Sequence, residues 1–211
     1  MTEDLKQNIL KTGTTILGIV CKEGVVMAAD NRASVGGALV MSKNEKKVFP
    51  INEYLVMAGA GYAAEIQKVP RLVSAELKIK ELRSKERPTV NTAANLLSNI
   101  QVQGSTFLIG GFNEDGSTEL YSLDGGGHVT KVEDYDANFG SGLMYVLGYL
   151  ERQYKKGVSV KDGIELAKEA LKASIQRDLA SGNGMNIIAI TKDGIKEIIS
   201  DEIEFVYKKR E

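Results

Sequence analysis

The side chains able to act as nucleophile, base or metal ligand are few, and that scarcity narrows the chemistry. His128 is the only histidine and Cys21 the only cysteine among 211 residues. No multi-ligand Cys/His metal site can be assembled from them, and no intrachain disulfide can form. A Ser–His or Cys–His hydrolase would have to be built around His128. That residue ends a Gly125-Gly126-Gly127-His128 turn, where a histidine is ordinarily just solvated. There is no P-loop, and no G-x-G-x-x-G opens a helix after a strand. An enzyme with this inventory takes its general base from something other than an imidazole.

The remaining polar candidates are Thr14 and Thr15 after Gly13, Asp30, the pair Lys46-Lys47, Ser141 between Gly140 and Gly142, and Asp178 with Ser181. Taken singly, each has a structural explanation. The threonines are β-branched strand residues. Asp30 ends a strand, and the lysines are a solvated charge pair. Ser141 is a helix cap, while Asp178 and Ser181 are helix-end polar groups before a Gly182 stop.

The elements that must position these residues fall into blocks. Thr14 to Lys22 and Val25 to Ala29 read as a hairpin of buried strands around Glu23-Gly24. Lys47 to Ile51 and Tyr54 to Ala58 make a second pair around Asn52-Glu53. Ala63 to Arg83 has helical periodicity through Ile66, Val69, Val73, Leu77 and Leu82. Pro70 predicts a kink or restart inside it. Thr89 is the expected N-cap of a second helix that runs through Ile100. Strands return at 106–112, 118–123 and 128–132, helices at 143–155 and 160–179, and strands at 186–191, 195–199 and 204–207, with Asp193-Gly194 as a hairpin turn. Grouped blocks argue against alternating βαβ units. They predict one α+β domain: mostly antiparallel sheets stacked face to face, with helix pairs outside. Cys21, in the first strand, reads as a small buried apolar residue.

Bulk composition fits a globular chain, with 43% apolar and 26% charged residues. The 27 basic and 28 acidic side chains leave a formal charge of -1, which predicts no electrostatic grip on nucleic acid or an anionic membrane. No apolar run approaches the roughly 20 residues that span a bilayer. Residues 1–13 lack the apolar core of a secretory signal, and a single cysteine suits a cytoplasmic location.

A resemblance carries the reading further. Gly13-Thr14-Thr15-Ile16-Leu17-Gly18-Ile19, followed by Gly24-Val25-Val26-Met27-Ala28-Ala29-Asp30-Asn31-Arg32-Ala33-Ser34, resembles the start of mature β-type proteasome subunits. Lys46-Lys47-Val48, Ala60-Gly61, Gly140-Ser141-Gly142 and Gln176-Arg177-Asp178-Leu179-Ala180-Ser181-Gly182 follow in the family's order. The resemblance implies the N-terminal nucleophile hydrolase fold, a four-layer αββα sandwich, over residues 14–211. It implies that residues 1–13 are a propeptide removed by self-cleavage between Gly13 and Thr14. Thr14 would then be nucleophile and, through its freed α-amine, its own base; such an amine titrates near pH 7.7–8.0 in peptides.

The resemblance surrounds Thr14 with Asp30, Lys47, Ser141, Asp178 and Ser181, with Arg32 as support. It gives the Gly61 backbone N–H to the oxyanion and Ser34 to substrate backbone. Ala33, Glu45, Phe49, Gly59 and Ala63 correspond to the pocket for the side chain preceding the cleaved bond. Small Gly59 and Ala63 suggest a roomy pocket, and Glu45 could favour basic side chains at its edge. The stretch from Asp30 to Lys47 is one residue longer than the family pattern, around Gly36-Gly37 in a turn. Strand alternation sends Lys46 and Lys47 to opposite faces, so only one can serve. Lys47 is chosen because Lys-Lys-Val-Phe resembles the family's two lysines before apolar residues.

The implied partners are other β subunits in a seven-membered ring, capping rings of α-type subunits, a regulatory ATPase on those rings, and unfolded polypeptide as substrate. No cofactor is implied. Two alternatives stand beside this reading: a non-catalytic β subunit serving only as a ring component, and a small-amide N-terminal-nucleophile amidohydrolase.

Overall fold

The computed structural model describes residues 13–36, 39–102 and 104–202. Residues 1–12 of the expected propeptide, Gly37 of the expected turn and the expected strand 204–207 lie outside the described residues. The described elements run β1 (Ile16–Cys21), β2 (Gly24–Asp30), β3 (Ala33–Val35), β4 (Leu39–Ser42), β5 (Val48–Pro50), β6 (Leu55–Ala60), α1 (Ala63–Ser84), α2 (Val90–Ser98), β7 (Thr106–Phe112), β8 (Thr118–Leu123), β9 (Val129–Val132), β10 (Tyr135–Asp136), α3 (Leu143–Gln153), α4 (Val160–Ile175), β11 (Gly184–Thr191) and β12 (Gly194–Glu202).

Two five-stranded sheets are ordered β10-β1-β2-β11-β12 and β5-β6-β7-β8-β9, and every pairing in them is antiparallel. Strand alternation builds the layers. Along β1, Ile16 and Val20 face the second sheet, whereas Leu17, Ile19 and Cys21 face α3 and α4. Along β6, Val56 and Ala58 join the layer between sheets while Leu55 and Met57 pack against α1 and α2. Three apolar layers thus separate four layers of structure, in the order α, β, β, α. Such strands are apolar on both faces, which explains the continuous runs in the sequence.

Three details depart from the expectations. Helix α1 does not restart at Pro70. The ring removes one helical hydrogen bond, at a cost of about 3 kcal/mol. Ile66, Val69, Val73 and Leu77 are buried on the same helix, and each such side chain contributes about 1.5–3 kcal/mol; packing wins. Second, Ala33–Val35 and Leu39–Ser42 form a two-stranded ribbon in which Val35 pairs with Leu39, where only a turn was expected. Third, α4 ends at Ile175 rather than Leu179. The N–H groups of Arg177 and Asp178 both bond the Ser174 carbonyl, tightening the last turn so that Asp178 leaves the helix.

Candidate active site

The site forms where β1 begins and β2 ends. Thr15 and Asp30 face each other there: the Asp30 N–H donates to the Thr15 carbonyl at 3.1 Å and the Thr15 N–H to Asp30 Oδ1 at 2.8 Å. Asp30 is fully buried and collects three further donors. Lys47 Nζ reaches Oδ1 at 2.7 Å, and the N–H groups of Arg32 and Gly182 reach Oδ2 at 2.9 Å each. A buried carboxylate is tolerable only with such compensation. Lys47 also donates to the Arg32 carbonyl, and its side chain is 1% exposed. Burial pushes its ammonium below the ordinary lysine value, and the Asp30 charge and hydrogen bond work against that shift. Lys46 is exposed.

The second half of the site comes from the turn after α4 and the loop before α3. Ser141 Oγ donates to Asp178 Oδ2 at 2.5 Å and Ser181 Oγ to the same oxygen at 2.6 Å. The Ala180 N–H reaches Asp178 Oδ1 at 3.1 Å. Arg32 fastens this turn to β2: Nη1 donates to the Leu179 carbonyl and Nε to Asn183 Oδ1, at 2.9 and 2.7 Å. A Cβ on Gly182 would lie 2.5 Å from that guanidinium, so any other residue there would displace the arginine from these partners.

Thr14 is buried between the two halves. The Thr14 N–H donates to Ser141 Oγ at 3.0 Å, and the Thr14 hydroxyl donates to the Gly13 carbonyl at 2.8 Å. The Gly13 N–H donates to Ser34 Oγ at 3.2 Å. Gly61 follows β6 with φ +127°, and a Cβ there would meet the Gly104 carbonyl oxygen at 2.5 Å. The next N–H, of Tyr62, is held by Ser105 Oγ at 3.0 Å.

Of the expected pocket residues, Glu45 and Gly59 are tied to this framework through their backbones. The Glu45 N–H bonds the Asn31 carbonyl at 2.8 Å and the Gly59 N–H bonds the Lys47 carbonyl at 3.0 Å. The Glu45 carboxylate accepts from Gln67 Nε2 at 2.9 Å. A Cβ on Gly59 would lie 2.8 Å from the Phe107 ring, so that ring occupies the volume the glycine vacates. Ala33 is buried at the start of β3, Phe49 is half-buried in β5, and Ala63 opens α1. His128 is exposed in the β8–β9 turn, its N–H on Asp124 Oδ1.

Of two further members of the cluster, sequence reading gave Thr15 no role beyond a strand residue and missed Ser174. Thr15 and Ser174 are buried hydroxyls 2.6 Å apart, and Thr15 Oγ1 lies 2.7 Å from Ser181 Oγ. The signal for Ser174 was faint: a serine on the apolar face of α4, where Ala167, Ala170 and Leu171 are buried.

Among the described residues no helix is long and apolar enough to cross a membrane, and no group of three or more His, Cys, Asp or Glu could hold a metal ion.

The chain matches the Proteasome family model, described as Proteasome subunit, over residues 10–190. It is 41% identical over 191 residues to "Proteasome subunit beta" of Nanoarchaeum equitans, covering 88% of this chain and 96% of that one. To "Proteasome subunit beta 1" of Thermococcus kodakarensis it is 40% identical over 210 residues, 97% of this chain and 98% of that one. "Proteasome subunit beta 2" of Pyrococcus furiosus matches at 40% over 203 residues, 93% of this chain and 96% of that one. The chain belongs to the proteasome subunit family, among its β-type members.

Proposed function

We propose that this chain is a threonine endopeptidase, made as a precursor whose residues 1–13 are removed by its own Thr14. The observation that carries the reading is the double engagement of Thr14: its nitrogen on Ser141 and its hydroxyl against the Gly13 carbonyl. In self-cleavage the Thr14 Oγ1 attacks the Gly13 carbonyl carbon as its proton leaves. The C–N bond breaks and the nitrogen takes a proton, giving an ester and a free α-amine. Water then hydrolyses the ester, releasing residues 1–13 with a carboxylate on Gly13.

The freed amine serves as base for the next reaction, the usual remedy for a weak hydroxyl nucleophile. Lys47, fixed by Asp30, favours the neutral amine by like-charge repulsion. Ser141, Asp178 and Ser181 orient the amine and the attacking water. The Gly61 N–H meets the developing oxyanion, a contribution of about 3–4 kcal/mol for one such donor. Ser34 holds substrate backbone, and Ala33, Glu45, Phe49, Gly59 and Ala63 flank the side chain before the cleaved bond.

The family supports assembly into the rings of a proteasome core, with other β subunits beside it and α-type rings above. Unfolded polypeptide is then the substrate, the cytoplasm the setting, and a regulatory ATPase acts on the α rings. Hydrolysis of an unfolded protein by particles co-assembled with an α-type subunit tests this. Thr14→Ala should lose at least 1,000-fold in kcat, an order of magnitude set by losses of a nucleophile. Equal rates for the two chains would leave the non-catalytic ring component as the better reading.

A further inference from the structure

We infer that Thr15 and Ser174 are positioning residues, forming with Ser181 a one-way hydroxyl relay that holds Asp178. The inference rests on the peptidase reading and extends it to two residues outside the expected set. Hydrogen-bond supply fixes the direction. Asp178 Oδ2 accepts from Ser181 at 2.6 Å, so Ser181 has spent its one proton there. Ser141 Oγ has both Asp178 Oδ2 at 2.5 Å and the Thr14 carbonyl at 3.2 Å as acceptors. Ser181 Oγ can therefore only accept from Thr15, 2.7 Å away. Thr15 has then spent its own proton and accepts from Ser174, at 2.6 Å. The relay runs Ser174 to Thr15 to Ser181 to Asp178, and Ser141 is left as an acceptor toward the Thr14 nitrogen.

Two further features fit a built relay. Thr15, Ser174 and Ser181 are each at most 1% exposed, so no water competes for their protons. Gly142 closes the space beside them: a Cβ there would lie 1.9 Å from Thr15 Oγ1 and 2.0 Å from Ser174 Oγ. Thr15 also joins the two halves of the site, because its backbone N–H holds Asp30 while its hydroxyl holds Ser181. Each accepted hydrogen bond polarises the next donor, so loss of the Thr15 hydroxyl weakens the grip on Asp178 without touching substrate.

The test uses assembled particles carrying Thr15→Val, Thr15→Ser or Ser174→Ala, with a fluorogenic peptide that the unsubstituted particle cleaves. Thr15→Val is expected to lower kcat about tenfold, the factor carried by one hydrogen bond of about 1.4 kcal/mol. KM should stay within about twofold. Thr15→Ser should restore most of kcat, and Ser174→Ala should fall between. Wild-type kcat in Thr15→Val, or equal losses in Thr15→Val and Thr15→Ser, overturns the inference. An inactive unsubstituted particle would instead sink the peptidase reading. Neutron diffraction from the deuterated Thr14→Ala chain still decides the relay: deuterium on Thr15 Oγ1 directed at Ser181 supports it, and deuterium directed at Ser174 overturns it.

Discussion

The Cβ that Gly13 lacks would lie 1.8 Å from the Cβ of Ala180. Ala180 is buried in the turn that carries Asp178 and Ser181, so a side chain before Thr14 pushes the Gly13–Thr14 peptide away from its partners.

Overpacking of this kind costs about 1–3 kcal/mol, roughly a 5- to 150-fold slowing if it falls on the transition state. Gly13→Ala should therefore slow conversion to the chain beginning at Thr14 by about that factor. Adding Ala180→Gly should recover most of the rate. A time course of intact mass measures both. Normal processing in the single variant would show that the contact does not limit the reaction.

The Asp30–Lys47 pair predicts an asymmetry. Asp30→Ala strands a buried ammonium and removes the acceptor of three backbone N–H groups. Removing one partner of such a pair costs about 3–5 kcal/mol, or roughly 6–20 °C in Tm for a chain of this size. Lys47→Met leaves Asp30 with those three donors and should cost clearly less. Calorimetry gives the ranking; a larger loss in Lys47→Met would contradict it.

These pairs also show what could be read in the sequence. The sheets and helices were legible because Ile16 to Cys21 and Val48 to Ala60 carry dense β-branched and apolar runs, and because 143–153 and 160–175 keep a helical period. The ribbon of Ala33–Val35 with Leu39–Ser42 was hidden: residues Leu39 to Met41 of its second strand are exposed and apolar, so no alternation marks a buried face. The break of α4 at Ile175 was hidden too, since it depends on Ser174 accepting two N–H groups. Asp30, Lys47 and Asp178 could be proposed from the family pattern. Thr15 and Ser174 could not, because their importance lies in distances across 159 residues of chain.

Gly61 allows a sharper test of the proposed oxyanion donor. Its φ of +127° excludes most side chains, and a Cβ would strike the Gly104 carbonyl at 2.5 Å and Ser105 Cα at 2.6 Å. Gly61→Ala should reduce kcat about 100-fold or more. Gly148→Ala, in open space on α3, should leave kcat unchanged and raise Tm, since alanine favours helix. Steady-state kinetics on assembled particles separate the two; an unaffected Gly61→Ala would remove that donor from the mechanism.

Cys21 predicts inertness and a pH dependence. Burial pushes its thiol up to about 12 from the ordinary 9.0, with Glu23 and Asp162 adding to the shift. Between those values the unfolded chain has released a proton that the folded chain keeps, so stability falls as pH rises from 9 towards 12. Native protein should resist iodoacetamide at pH 8.5 and react once unfolded. Cys21→Ala should remove part of the alkaline loss. Rapid labelling of native protein, followed by mass, would contradict the buried state.

The central claim is that Thr14 frees its own amine, and the most direct test is the intact mass and N-terminal sequence of the chain after co-assembly with an α-type subunit. A chain beginning at Thr14, with Thr14→Ala retaining residues 1–13, is the predicted result. A chain still beginning at Met1 in completed rings would leave Thr14 without a free amine and contradict the account.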